Sequence, residues 1–189
     1  YKRQSLNDSQ RRELLTAIAR AESPHSASLA SVVVEQLADA EDSQRMLLIA
    51  AAGNLRSPQI AESLASIAHD SKTSTSVRLA AVAAASVNNK SLDAESFELL
   101  IETLADEAAG TDASSAVAIL SRAYLTSPQL IQLSRHLRGL SPTSLADLLV
   151  AYSRDRNPEV ALALIEALQS STHGGLLSEA QVTVAIGGH

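Results

Sequence analysis

Apolar residues along this chain return every three or four positions, in runs of about three helical turns broken by Ser, Asn, Gly and Pro. The pattern is clearest between Gly53 and Val87. Ile60, Leu64, Ile67 and Ala68 fall at i, i+4, i+7 and i+8 and form an apolar stripe, while Glu62, Ser63 and Ser66 leave the other side polar. Ser57-Pro58 precedes the stripe. Ser suits the N-cap because its hydroxyl accepts from an orphan backbone N–H one turn on, and Pro suits the first helical position, where no donor is needed. In the next helix Val77, Ala80, Ala81, Ala84 and Val87 form one face, and Leu79, Val82 and Ala83 cover much of the rest. A helix apolar on most sides needs neighbours on several sides. One helical hairpin cannot supply them; stacked copies can.

The same reading carried along the chain predicts ten principal helices, over 8–22, 24–39, 42–53, 58–69, 75–88, 92–108, 112–126, 128–138, 142–154 and 158–170, pairing into about five units. Leu29, Val32, Val33 and Leu37 are expected to face the core in the second, and Gly53-Asn54 to close the third as a C-terminal cap. Phe97, Leu100, Ile101 and Leu104 form the buried stripe of the sixth; Val117, Leu120 and Tyr124 point inward from the seventh. All five prolines, Pro24, Pro58, Pro128, Pro142 and Pro158, follow Ser or Asn, each where a helix is expected to begin. Gly174-Gly175 breaks the pattern, and 178–186 reads as a short terminal helix or strand-like cap.

Local copies support a repeat. Asp8-Ser9-Gln10-Arg11 returns as Asp42-Ser43-Gln44-Arg45, 34 residues later, and Arg78 follows Arg45 by 33. Ser57-Pro58-Gln59-Ile60 returns as Ser127-Pro128-Gln129-Leu130 after two periods. The unit from Asn54 to Ala85 has a polar-Pro turn, an amphipathic helix, a polar turn and a helix opening Val77-Arg78-Leu79-Ala80-Ala81; it resembles HEAT-like (armadillo-type) repeats, with Arg45 and Arg78 at the repeat's arginine position. The resemblance implies an all-α fold, a right-handed α-solenoid (α-α superhelix) of about five two-helix repeats. It implies one domain over 8–172, a frayed lead-in over 1–7 and a tail or linker over 173–189. A second stretch, from Leu140 to Val150 and from Asn157 to Ser170, resembles the helical module of planctomycete-type multidomain membrane-bound dehydrogenase and c-type haem proteins. That resemblance implies a spacer within a longer chain and an extracytoplasmic or periplasmic setting; without it the expectation is cytoplasmic.

Composition narrows the function. Of the 189 residues 46% are hydrophobic but only 2% aromatic, so the core is built on Ala, Leu, Val and Ile in closely packed helices. The net charge of −6 argues against a phosphate-backbone binder, which needs a basic face. No run of about 18 apolar residues is present to span a membrane. The absence of Cys excludes disulfides, thiolate ligands and haem attachment through Cys-x-x-Cys-His.

Candidate chemistry is sparse. Glu95, Glu98, Glu102 and Asp106 make an acidic stripe on the helix whose other side carries Phe97 and Leu100, and no Lys or Arg occurs between Ser91 and Ser121. The stripe reads as a solvated helix face, as a docking surface for a basic partner, or as part of a divalent-metal site if a second element reaches in. Arg122, Arg135, Arg138, Arg154 and Arg156 make the following part locally basic, as solvated charges or ion pairs with neighbouring repeats. The candidate interaction surface is therefore Glu95, Glu98, Glu102, Asp106, Arg135 and Arg138. His25, His69, His136, His173 and His189 are scattered, with no His-Glu-x-x-His and no phosphate-cradling Gly-rich loop. The expectation is a non-catalytic interaction or spacer module, with no catalytic residue, cofactor or metal of its own. Its partners would be proteins or neighbouring domains, not nucleic acid. An enzyme on a helical-repeat scaffold, with polar residues gathered on a concave face, and a nucleic-acid-binding repeat are the alternatives.

Overall fold

Period and punctuation both predict helices, and the computed structural model is all-helical over the residues it describes, 26–55, 57–88, 91–106 and 109–186. The helices are α1 (Ser26–Asp39), α2 (Asp42–Ala52), α3 (Pro58–His69), α4 (Thr75–Asn88), α5 (Ala94–Ala105), α6 (Thr111–Arg122), α7 (Ser127–Ser134), α8 (Pro142–Tyr152), α9 (Pro158–Ser170) and α10 (Glu179–Ile186). A short 3-10 turn, Gly174–Leu176, lies between α9 and α10. No strand occurs among the described residues, which show one isolated bridge, Ser91 to Tyr124. The helix expected over 8–22 and the start at Pro24 lie outside the described residues.

Where a helix starts, the local chemistry is visible. Pro occupies the first turn of α3, α7, α8 and α9. The side chains of Asp93, Ser141 and Asn157 accept from Ser96, Ser144 and Glu159 backbone N–H groups. The helix expected to open at Ser127-Pro128 is capped one residue earlier. Thr126 Oγ1 accepts from the Gln129 N–H while the Gln129 side chain accepts from the Thr126 N–H, a reciprocal capping box. Ser57 departs from expectation. It holds the extended N-cap conformation, but its side chain makes no cap bond, so Pro58 is left as the start signal.

Gly53 is the C-cap of α2, as expected, but not in the left-handed form. Its φ of −57° is right-handed, so no left-handed turn calls for glycine there. The reason is close approach: a Cβ on Gly53 would lie 3.2 Å from Ala84 Cβ and 3.3 Å from Ala84 Cα. Gly53 lets α2 and α4 come together. At Gly174 a Cβ would overlap the Leu168 carbonyl oxygen, and this fixes the sharp turn after α9.

The chain divides between Asn88 and Asn89 into two compact units. In the first, α1 packs on α2 and α3 on α4, and each helix also packs on the one two positions along, α1 on α3 and α2 on α4. Val33, Leu37, Ile49, Ile60, Leu64, Leu79 and Ala81 form its buried core. Val77, Ala81 and Ala84 of α4 are buried as expected, but Ala80 is only half-buried. The helical turn sets Ala80 in line with Ser76, Ala83 and Val87, at i−4, i+3 and i+7, and those three are exposed. Val32 is likewise not in the core: it is 43% exposed, because the buried face of α1 runs through Ala30, Val33 and Leu37 on its opposite side.

In the second unit α5 packs on α6, α6 on α8, α7 on α9 and α8 on α10, and the 3-10 turn rests against α9 and α8. Phe97, Leu100, Leu120, Leu130, Leu133, Tyr152 and Leu164 fill its core. Burying a side chain such as Phe97 contributes roughly 1.5–3 kcal/mol. Tyr124, expected to point inward, is 55% exposed. The helix ends at Arg122, so Tyr124 leaves the register that buries Val117 and Leu120. Just before the segment expected as a tail, the Thr172 N–H donates to the Arg138 carbonyl at 3.3 Å.

Candidate interaction surface

Helix α5 builds the acidic stripe by rotation alone. Asp93 caps it, Glu95 lies in its first turn where the helix dipole favours an anion, and Phe97, Leu100, Ile101 and Leu104 are drawn into the core. Glu95, Glu98, Glu102 and Asp106 are then left exposed, as the sequence pattern requires. The structure adds an anchor. Gln132 Nε2 of α7 donates to Glu98 Oε1 at 2.9 Å, and Gln129 Nε2 donates to the Leu92 carbonyl at 3.4 Å. The stripe is thereby tied to α7, one turn before Arg135.

Arg135 is the C-cap of α7 and Arg138 lies in the turn beyond it; both are exposed. The Arg138 carbonyl accepts from Ser171 Oγ at 3.3 Å as well as from the Thr172 N–H, joining this turn to the end of α9. His173 reaches the same turn, its Nδ1 3.0 Å from the Leu140 carbonyl oxygen. The surface thus presents exposed carboxylates on one helix and exposed guanidinium groups at the end of another, both held by polar contacts between elements.

Other arginines do something the sequence pattern did not indicate. Arg45 Nε donates to the Leu37 carbonyl at 3.3 Å, and Arg78 Nε donates to the Ala68 carbonyl at 2.9 Å. Each arginine of the 33-residue repeat therefore reaches back to a carbonyl in the last turn of the preceding helix, where main-chain acceptors have no helical partner. Arg154 does the same between more distant elements, donating from Nη1 to the Ala123 carbonyl at 3.0 Å. Its guanidinium carbon also lies 5.7 Å from the centre of the Tyr124 ring, within cation–π range. Arg154 was expected to be solvated or ion-paired; what holds it is a carbonyl and an aromatic face. Acid–hydroxyl links complement these contacts. Ser74 Oγ donates to Asp42 Oδ2 at 2.9 Å, and Ser127 Oγ to Asp155 Oδ2 at 2.8 Å.

Two titratable groups are perturbed. Asp70, following α3, is held below its ordinary pKa chiefly by the Lys72 N–H, which donates to Oδ1 at 3.0 Å, and then by the Thr73 hydroxyl. Burial pushes the Tyr152 phenol well above its ordinary value, partly offset by its hydrogen bond with Ser134. Tyr152 Oη, Ser134 Oγ and the Leu130 carbonyl oxygen form a closed buried triangle with sides of 3.0, 3.0 and 3.1 Å. Neither group belongs to the acidic stripe. Among the described residues, no group of three His, Asp or Glu side chains is placed to hold a metal ion. None of their helices is long and apolar enough to cross a membrane.

Compared with known proteins, the chain matches no family model, no curated protein and no solved structure. The class defined by fold and surface is an all-helical protein with a patterned, exposed charged face.

Proposed function

We propose that this chain is a non-catalytic interaction or spacer module, a right-handed α-solenoid of HEAT-like repeats within a larger multidomain protein of the dehydrogenase or cytochrome kind. The observation that carries the reading is the packing rule repeated in both units: helices pack on the neighbour two positions along. That arrangement leaves ranks of parallel helix faces, a surface suited to protein or domain contact. The exposed Glu95, Glu98, Glu102 and Asp106, with Arg135 and Arg138 beyond them, are the contact surface of the proposal. Their charges select a partner by complementarity and set a salt-sensitive on-rate.

The test is capture of partners from the source cell by the tagged chain and by its Glu95→Lys/Glu98→Lys/Glu102→Lys variant. All three residues are exposed, and circular dichroism should be unchanged. A partner held by the parent chain at low salt, released at high salt and lost from the variant supports the reading. Equal capture by both chains would sink this surface. Stoichiometric metal, a haem absorbance band or a nucleotide bound below about 10 μM, roughly −7 kcal/mol, would sink the non-catalytic module itself.

A further inference from the structure

We propose that the trough between α1 and α3 is a docking groove for a short basic amphipathic helix of a partner protein. The proposal rests on reading the chain as an interaction module but uses other residues, in the first unit. The two helices pack together, yet the side chains along the trough are small: Ser31 and Ala38 on α1, Ser63 and Ser66 on α3. They leave an open groove of about 660 Å³. Val34, Leu37 and Ile67 give it an apolar lining, Leu37 fully buried and the other two half-buried. Glu35 and Glu62, one from each helix and both exposed, border it. Neither helix carries Lys or Arg. Arg45, which reaches the Leu37 carbonyl from α2, also lies 3.5 Å from Asp42 Oδ1.

This combination specifies the occupant. A half-buried apolar lining gains by covering Leu, Ile or Met side chains, and the carboxylates from both helices call for Lys or Arg on either side of them. An amphipathic helix with apolar residues at i, i+3 and i+4 and flanking cations meets both demands. The 14 and 12 residues of α1 and α3 make helices roughly 20 Å long, which sets the matching segment at about three to four turns. An acidic helix of the same shape meets like charge at both borders, and the net charge of −6 steers cationic segments inward.

The experiment is a fluorescence-anisotropy titration of the whole chain with a labelled 14-residue Leu/Lys amphipathic peptide and its Leu/Glu counterpart. Saturable 1:1 binding of the Lys peptide alone is expected. Glu35→Lys/Glu62→Lys should weaken it about tenfold, as two exposed charge contacts reverse. Ala38→Tyr, which fills the groove from an exposed position, should weaken it at unchanged Tm. Reversal of Glu95, Glu98 and Glu102 should leave the Kd unchanged. A Kd indifferent to both groove variants, or weakened equally by the α5 reversal, overturns the groove and leaves the module reading to its own partner test. Failure of the Lys peptide to bind overturns the groove as well.

Discussion

The two units reach the same kind of packing by different chemistry. In the first, N-caps contribute little: Glu41 and Ser57 stand at the starts of α2 and α3 without side-chain cap bonds. Order there comes from small side chains in close contact, as at Gly53 against Ala84, and from Arg45 and Arg78 holding the ends of the preceding helices. In the second unit five helix starts carry side-chain caps, from Asp93, Thr126, Ser141, Asn157 and Ser178, and the core contains Phe97, Tyr152 and the Tyr152–Ser134–Leu130 triangle. Close contact of small residues is sensitive to added volume. A core of large side chains is sensitive to lost volume, and a capped helix to lost hydroxyls. Substitutions should sort accordingly.

The largest effect is expected from Phe97→Ala. It empties a site that is 2% exposed and should cost roughly 3–5 kcal/mol. Because the chain forms two compact units, hydrogen exchange should quicken through α5 to α9 and stay slow in α3 and α4. Equal loss of protection in both would mean that they unfold as one and would break the comparison at its root. The converse substitution is Ala81→Leu in the first unit. Ala81 is fully buried on a helix packed against both α2 and α3, so overpacking should cost roughly 1–3 kcal/mol. An unchanged thermal melt would mean that the first unit is not packed as closely as described.

How much of this was legible beforehand follows the same division. The helices were readable because Pro after Ser or Asn, together with apolar spacing, marks both a start and a face; α3, α8 and α9 begin where those signals fall. Which side of α4 is buried was less readable. Ala is apolar enough to fit any face, so Ala80 and Ala81 were indistinguishable in sequence although only Ala81 is fully buried. The exposure of Glu95, Glu98, Glu102 and Asp106 followed from their spacing opposite Phe97 and Leu100. Their tie to Gln132 did not, because it joins residues 34 apart through tertiary packing. The period between Arg45 and Arg78 was visible, but their acceptors are main-chain carbonyls, which have no sequence signature.

Tyr152→Phe tests the buried triangle of the second unit. It keeps the ring and removes the hydroxyl, so about 1–1.5 kcal/mol should be lost at neutral pH. The pH dependence is more specific. The folded pKa of Tyr152 lies above its ordinary value, so folding favours the neutral phenol. Its contribution is complete below the unfolded pKa, near 10, and falls away as pH rises from there toward the folded value. Urea titrations between pH 8 and pH 11 should show the parent chain losing stability faster than the variant. Parallel curves would mean that the phenol is solvated.

The smallest effects separate a helix start held by a side chain from one held by backbone shape. Thr126 and Ser57 both precede Ser-Pro or Pro at the entrance to a helix, and both adopt extended backbone. Only Thr126 has its hydroxyl engaged, accepting from the Gln129 N–H, with Gln129 returning the contact to the Thr126 N–H. Thr126→Ala removes one acceptor and leaves an orphan donor in the first turn of α7, at about 1 kcal/mol. Ser57→Ala removes a hydroxyl that caps nothing, while Pro58 keeps its favourable place, so the change should stay within about 0.5 kcal/mol. Paired urea melts on the two variants decide the matter. If Ser57→Ala costs as much as Thr126→Ala, the first unit relies on its caps after all, and close packing is not what distinguishes it from the second.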